Sequence, residues 1–249
     1  MSALPLPQTN PARLSRLAAL FSMPVVAAEI SLIDADRRSA LVRDASQLLT
    51  RGEWESIRHC AEGRILDFCA GRLCAHRALT QFGIESFELL SATDRQPLWP
   101  EAVTGSITHT EGFSAAVVGA RDRVAGLGID AERVNAVHQE LWSAICTPAE
   151  LERLQSLPVG AQLQAAALTF AAKEAFFKCQ YPLAAERFDF SEVQLQDADW
   201  QSETGHFEIS WRSPSKLDGF LPLGASARLR GQFERREQFL IAGLALLPA

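Results

Sequence analysis

Two carboxylates stand two residues apart in Gly126-Leu-Gly-Ile-Asp-Ala-Glu132, and a third, Glu174, interrupts an apolar pattern further along the chain. Read as a strand, Val124 to Glu132 puts Ala125, Leu127, Ile129 and Ala131 on one face and Gly126, Gly128, Asp130 and Glu132 on the other. One face is core and the other is a site. Asp130 and Glu132 then lie roughly 6.5 to 7 Å apart along the strand and repel each other unless a cation or solvent separates them. The two glycines leave bare backbone beside them, open to a ligand. Two ordinary surface acids at a strand end fit this segment slightly better when it is taken alone.

Glu174 shifts that balance. In the helix around it the apolar stripe runs Leu163, Ala167, Phe170 and then skips to Phe177, and the missing position is Glu174. A carboxylate on a buried face is costly unless it meets a cation. Lys178, one turn on, could be that cation in a simple helix pair worth about 0.2–0.5 kcal/mol. The sharper reading joins Asp130, Glu132 and Glu174 around one divalent ion, with Lys173 and Lys178 near for phosphate oxygens. Three carboxylates without a His or Cys ligand make a hard oxygen site, suited to Mg²⁺, with Mn²⁺ as a substitute, rather than to zinc.

Basic residues in the first half add a ligand. Arg64 and Arg72 lie about 12 Å apart along a helix axis, and with Arg95 in a loop and His109 after a strand they could hold several phosphates of one extended molecule. Taken singly, each arginine is an ordinary solvated charge and His109 a strand-end histidine.

The elements that must position these residues are legible in outline. Val25 to Ile33 reads as a strand, and Ile65, Phe68, Cys69, Leu73 and Leu79 mark a helix over Ala61 to Phe82 that Gly83 stops. A Pro/Gly-punctuated segment, Asp94 to Gly105, precedes strands at Ser106 to Thr110, Phe113 to Val118 and Val124 to Ile129, the last two joined as a hairpin by Gly119 to Arg123. A long helix over Gln162 to Cys179 is stopped by Tyr181-Pro182. Strands near Phe188 to Leu195 and His206 to Trp211 follow, then a hairpin from Ala225 to Leu246. Leu4 to Pro11 reads as loose. Both halves thus set one long helix among several strands, an α+β architecture in two related halves, residues 1–121 and 122–249, each a long helix on a mainly antiparallel sheet.

Composition narrows the class. The 249 residues are 47% hydrophobic and 22% charged, which excludes intrinsic disorder, and the net charge of −6 disfavours a general nucleic-acid binder. Five cysteines, with no C-x-x-C pair, read as reduced thiols packing a helix. A zinc site from His59, Cys60, Cys69, Cys74 and His76 lacks finger spacing. With neither a secretory signal nor a membrane span in view, a cytoplasmic protein is expected.

Four motifs, in order, resemble the Sfp-type 4′-phosphopantetheinyl transferases, the enterobactin synthase component D group in particular. They are Gly71-Arg-Leu-Cys-Ala-His-Arg-Ala-Leu79, Trp99-Pro100 with Gly105-Ser-Ile-Thr-His109, Gly128-Ile-Asp-Ala-Glu132, and Phe170-Ala-Ala-Lys-Glu-Ala-Phe-Phe-Lys178. The resemblance implies two pseudo-symmetric halves with coenzyme A and Mg²⁺ in the cleft between them. It implies transfer of the phosphopantetheine arm to a serine of an apo acyl or peptidyl carrier protein, as in fatty-acid, siderophore, polyketide or nonribosomal peptide assembly, with release of adenosine 3′,5′-bisphosphate. By position it makes Asp130, Glu132 and Glu174 the metal carboxylates. Arg64, Arg72 and Arg95 become phosphate ligands, with Thr108 and His109 at the nucleotide, and Lys178 at the pyrophosphate and leaving group. Glu174, or a metal-bound water next to it, is the expected base. Ala171 replaces the family's usual serine, and Ala131 offers no donor between the two carboxylates. A metal-dependent nucleotide phosphohydrolase and a non-catalytic coenzyme A subunit are the competing readings. One chain carrying both halves is expected to act as a monomer.

Overall fold

The computed structural model describes residues 16–185, 187–196, 198–200, 202–211 and 228–248. The loose segment expected at Leu4 to Pro11 and the start of the final hairpin, Ala225 to Ala227, lie outside them. In chain order the elements are β1 (Val26–Ser31), α1 (Ala35–Leu48), α2 (Arg51–Ile57), α3 (Glu62–Gln81), β2 (Val103–Thr110) and β3 (Phe113–Ala120). There follow β4 (Gly126–Arg133), α4 (Gln139–Ile145), α5 (Pro148–Gln155), α6 (Val159–Ala184), β5 (Val193–Gln196), β6 (Thr204–Trp211), β7 (Arg228–Arg236) and β8 (Phe239–Leu246). One sheet runs β1-β3-β2 and the other β4-β8-β7-β6-β5, with every pair antiparallel.

The two halves repeat one plan. A strand, a long helix and a hairpin close in the order β1-β3-β2 around α3, and in the order β4-β8-β7 around α6. Alternation along β3 shows how the layers are made: Ala116 and Val118 pack with Phe68, Leu73 and Leu79 of α3, whereas Phe113, Ala115 and Val117 turn to the opposite side. There they meet Leu127, Ile129 and Ala131 of β4 and Ile241 of β8, so the sheets share a core between the halves. The outer face of the second sheet is closed by α6 through Leu168, Ala171, Ala172, Ala175 and Phe176. The architecture is α+β.

Three expectations are corrected. β3 and β4 form no hairpin: β3 pairs with β2 across a turn at Gly112 (φ +91°), and β4 crosses to the second sheet to pair with β8. A left-handed φ suits glycine, and that tight turn follows β2 instead. The long helix runs past Tyr181-Pro182 to Ala184, because a proline in the last turn forfeits little of the ladder. Its apolar stripe is also displaced, since Leu163, Phe170 and Phe177 are only half-buried, as is Glu174. Helices α1, α2, α4 and α5 were not foreseen. Side chains start three of them: Asp34 caps α1, and Thr50 and Thr147 form reciprocal caps with Glu53 and Glu150.

Candidate active site

The face of β4 that carries the carboxylates is pressed against α6. A Cβ on Gly126 would lie 2.4 Å from the Cys179 carbonyl oxygen, and one on Gly128 would lie 1.8 Å from that of Ala175. The glycines therefore make room for a helix and are not open to a ligand, as the sequence had suggested. Two residues on, the same face delivers Asp130 to Lys178, whose Nζ donates to Oδ1 at 2.5 Å and to the Ile129 carbonyl at 3.4 Å. Lys178 thus pairs with Asp130 and not, as a helix neighbour, with Glu174.

Behind Asp130 stands Thr108, only 1% exposed. Its hydroxyl donates to Asp130 Oδ1 at 3.0 Å and accepts the Ala131 N–H at 3.0 Å, while Ser106 Oγ accepts the Ile129 N–H at 3.1 Å. Two hydroxyls on β2 thus stitch it to β4 across the halves. Thr108 acts on Asp130 and does not line the cleft of Arg64, Arg72 and Arg95, as a place beside a nucleotide would require.

These bonds leave one buried atom unserved. Asp130 Oδ2 has no hydrogen-bond partner, and a buried carboxylate oxygen without a donor calls for a cation. Its neighbours show the same deficit. Burial, then the Asp130 charge, pushes Glu132 up to about 7, with Glu174 adding to it and Lys178 opposing. Glu174 is raised by burial and by Asp130. Among the described residues no three acidic, His or Cys side chains form a ready-made metal cage, so the carboxylates supply a partial, oxygen-only donor set.

Lys173 departs from its expected place. Its ammonium is buried and donates to Glu150 Oε2 at 2.7 Å, Ile145 O at 2.9 Å and Phe190 O at 2.9 Å. With three donors used, it has none for a phosphate.

The remaining cations converge. A cleft of about 810 Å³ is lined by Arg64, Arg72, Arg95, His109 and Lys178. Arg72 is buried, its guanidinium 4.4 Å from the centroid of Phe68 and its NH2 donating to Ser91 Oγ at 2.8 Å. Arg95 stands on a turn with φ +74°. His109 Nδ1 lies 3.7 Å from Asp67 Oδ2, and burial lowers its pKa despite that acid. Arg121, Arg187, Phe177 and Tyr181 line the same cleft, a place that nothing in the sequence assigns them. Arg121 belongs to the segment mistaken for a hairpin, and Arg187 lies beyond the expected helix stop, so neither had a motif to mark it.

Residues 52–119 match the 4′-phosphopantetheinyl transferase N-terminal domain, and residues 126–221 match the 4′-phosphopantetheinyl transferase superfamily. The 4′-phosphopantetheinyl transferase Svp of Streptomyces mobaraensis is 34% identical over 181 residues, covering 71% of this chain and 74% of that protein. The chain belongs to the 4′-phosphopantetheinyl transferase family. Enterobactin synthase component D of Escherichia coli K12 is 33% identical over 206 residues, covering 79% of this chain and 93% of that protein. PptT of Mycobacterium tuberculosis is 35% identical over 143 residues, 57% of this chain and 62% of that protein. In this phosphopantetheinyl transferase the two matched regions part between β3 and β4, where the chain passes from one sheet to the other. Among its described residues no helix is long and apolar enough to cross a membrane.

Proposed function

We propose that the enzyme transfers the 4′-phosphopantetheine arm of coenzyme A to a serine hydroxyl of an apo acyl or peptidyl carrier protein. The observation that carries this reading is the shared position of Lys178. It lines the arginine-rich cleft and also bonds Asp130, so a phosphate-holding surface and a carboxylate group meet at one side chain. Residues 1–121 supply Arg64, Arg72, Arg95 and His109 to one wall, and residues 122–249 supply Lys178 to the other. One chain holds both walls, which supports action as a monomer, and a cytoplasmic location is part of the same proposal.

The chemistry is a phosphoryl transfer. The serine oxygen attacks the phosphorus bearing the pantetheine arm, the bond to the bridging pyrophosphate oxygen breaks, and adenosine 3′,5′-bisphosphate leaves. Such a reaction depends on positioning and on cations facing the phosphate oxygens. Asp130, Glu132 and Glu174 would hold a Mg²⁺ or Mn²⁺ ion, the orphaned Asp130 Oδ2 first among their oxygens. When bound, the ion supplies charge stabilisation at the pyrophosphate. Glu174, whose pKa burial raises, takes the serine proton. Lys178 faces the leaving oxygen, and the arginines hold the nucleotide phosphates in bidentate contacts.

Mass spectrometry of an apo carrier incubated with coenzyme A and Mg²⁺ tests the reading. One added phosphopantetheine per carrier is expected, with loss of the product in Glu174→Gln. Release of adenosine 3′,5′-bisphosphate without carrier modification would make the enzyme a hydrolase instead.

A further inference from the structure

The residue that ties the cleft arginines together lies outside the cleft. Glu53, in the first turn of α2, is 0% exposed, and a carboxylate there persists only with a set of donors. Its Oε2 accepts the Thr50 N–H at 2.9 Å. Its Oε1 accepts the Leu89 N–H at 3.1 Å, faces His76 Nε2 at 2.8 Å, and lies 3.9 Å from Arg72 Nε. That nitrogen is buried without a hydrogen-bond partner, so the Glu53 charge is what compensates it.

Leu89 in turn opens a short hairpin. Ser91, which accepts from Arg72, bridges to Pro97, and Leu98 N donates to Leu90 O at 2.9 Å. The tip is closed by Ala92 N to Gln96 O at 2.8 Å and by Arg95 N to Ala92 O at 2.9 Å, which leaves Arg95 at the turn. A second tie from α2, the Gly52 N–H to Glu88 Oε1 at 2.7 Å, secures the same root. One buried carboxylate thus touches both the helix that carries Arg72 and the base of the turn that carries Arg95.

We propose that Glu53 is a positioning residue for coenzyme A. Through Leu89 and Arg72 it sets the separation of Arg72 and the Arg95 turn before the phosphates arrive, so binding does not bear the cost of ordering them. The inference rests on the coenzyme A reading above.

The test uses the full chain, with Glu53→Gln and the charge-retaining Glu53→Asp checked for folding by circular dichroism. Calorimetry reads the Kd of coenzyme A and of adenosine 3′,5′-bisphosphate, and steady-state assays read KM for coenzyme A, KM for the carrier, and kcat. In Glu53→Gln both ligands should bind roughly tenfold more weakly, the size of one lost charge-assisted contact. KM for coenzyme A should rise with it, while kcat and the carrier KM stay within about twofold. Glu53→Asp, its carboxylate withdrawn by one methylene, should fall between wild type and Glu53→Gln. A merely structural Glu53 would lower kcat through the folded fraction and leave KM and Kd alone, and that result overturns the proposal. If Glu53→Gln does not fold, an unchanged Kd in Glu53→Asp overturns it equally. A wild-type enzyme that binds neither ligand would instead remove the coenzyme A reading beneath it.

Discussion

The turns that begin α2 and α5 share one design. Thr50 and Glu53 cap α2, Thr147 and Glu150 cap α5, and each glutamate is buried. Each meets a basic side chain on its half's long helix 23 residues later, His76 on α3 or Lys173 on α6. Each also accepts a backbone N–H from a segment beyond that helix, Leu89 at 3.1 Å or Leu195 at 2.5 Å. The difference lies in where the contacts lead. Lys173 spends its three protons inside the second half, on Glu150 and two carbonyls, whereas Glu53 also stands beside the Arg72 guanidinium, which lines the cleft. One joint is scaffold alone. The other is scaffold connected to the cleft.

The largest expected effect tests that contrast. Lys173→Met leaves Glu150 charged and buried beside an apolar chain, and removing one partner of such a pair costs about 3–5 kcal/mol. His76→Gln should cost only about 1 kcal/mol: both glutamates keep two backbone donors, but only Glu53 also keeps a second basic group, Arg72, nearby. Urea unfolding of both variants measures the difference. Equal losses would mean that the two joints are equivalent.

The halves also seat their long helices differently. In the second, the close approach is bare strand: Gly128 faces the rigid carbonyl of Ala175. In the first, the glycine is on the helix: a Cβ on Gly71 would meet the Ile107 side chain at 2.9 Å. Gly128→Ala must displace α6 and should cost about 1–3 kcal/mol or more. Gly71→Ala should cost less, since about 1 kcal/mol of helix propensity is regained. Thermal melts of the pair rank them, and the reverse order would contradict this packing.

Much of the site could be read from one dimension because its side chains recur with the period of their elements. The alternation from Leu127 to Glu132 placed the core face of β4 correctly, as the shared core of Leu127, Ile129 and Ala131 shows. It misread why Gly126 and Gly128 are glycines, because a helix some fifty residues away in sequence sets that requirement, and no local pattern records it. Lys173 and Lys178 look alike in Ala-Lys-Glu-Ala-Phe-Phe-Lys. They project to different neighbours, and only the tertiary position of Glu150 and Asp130 separates their roles. Thr108 is expected beside a nucleotide and instead bonds Asp130 and the Ala131 N–H, for a hydroxyl carries no signal of which strand it faces. Helices α2 and α5 are short and owe their starts to Thr-x-x-Glu boxes. Those boxes are visible in the sequence, but the apolar runs that follow are too short to show a period.

Glu53 and Glu132 carry the comparison to its finest scale. Glu53 is the more deeply buried, yet His76 and the Thr50 N–H outweigh burial and hold its pKa below the ordinary value. Burial, with the charges of Asp130 and Glu174 and against Lys178, raises Glu132 from 4.5 to about 7. Donors decide the sign. A carboxyl whose folded pKa is raised binds its proton better in the folded state, so its contribution is fully present below 4.5 and is lost as the pH climbs to about 7. In chelator, Glu132→Gln and wild type should therefore melt together at the acid end of that window. The variant should become the more stable of the two across it, and the gap should stay constant above it. Mg²⁺ added at the alkaline end should narrow the gap, because a cation between the carboxylates relieves the repulsion that the substitution removes. Melting curves across the window with and without Mg²⁺ measure this, and a gap that does not change with pH would mean that neither burial nor the two acidic neighbours raise Glu132.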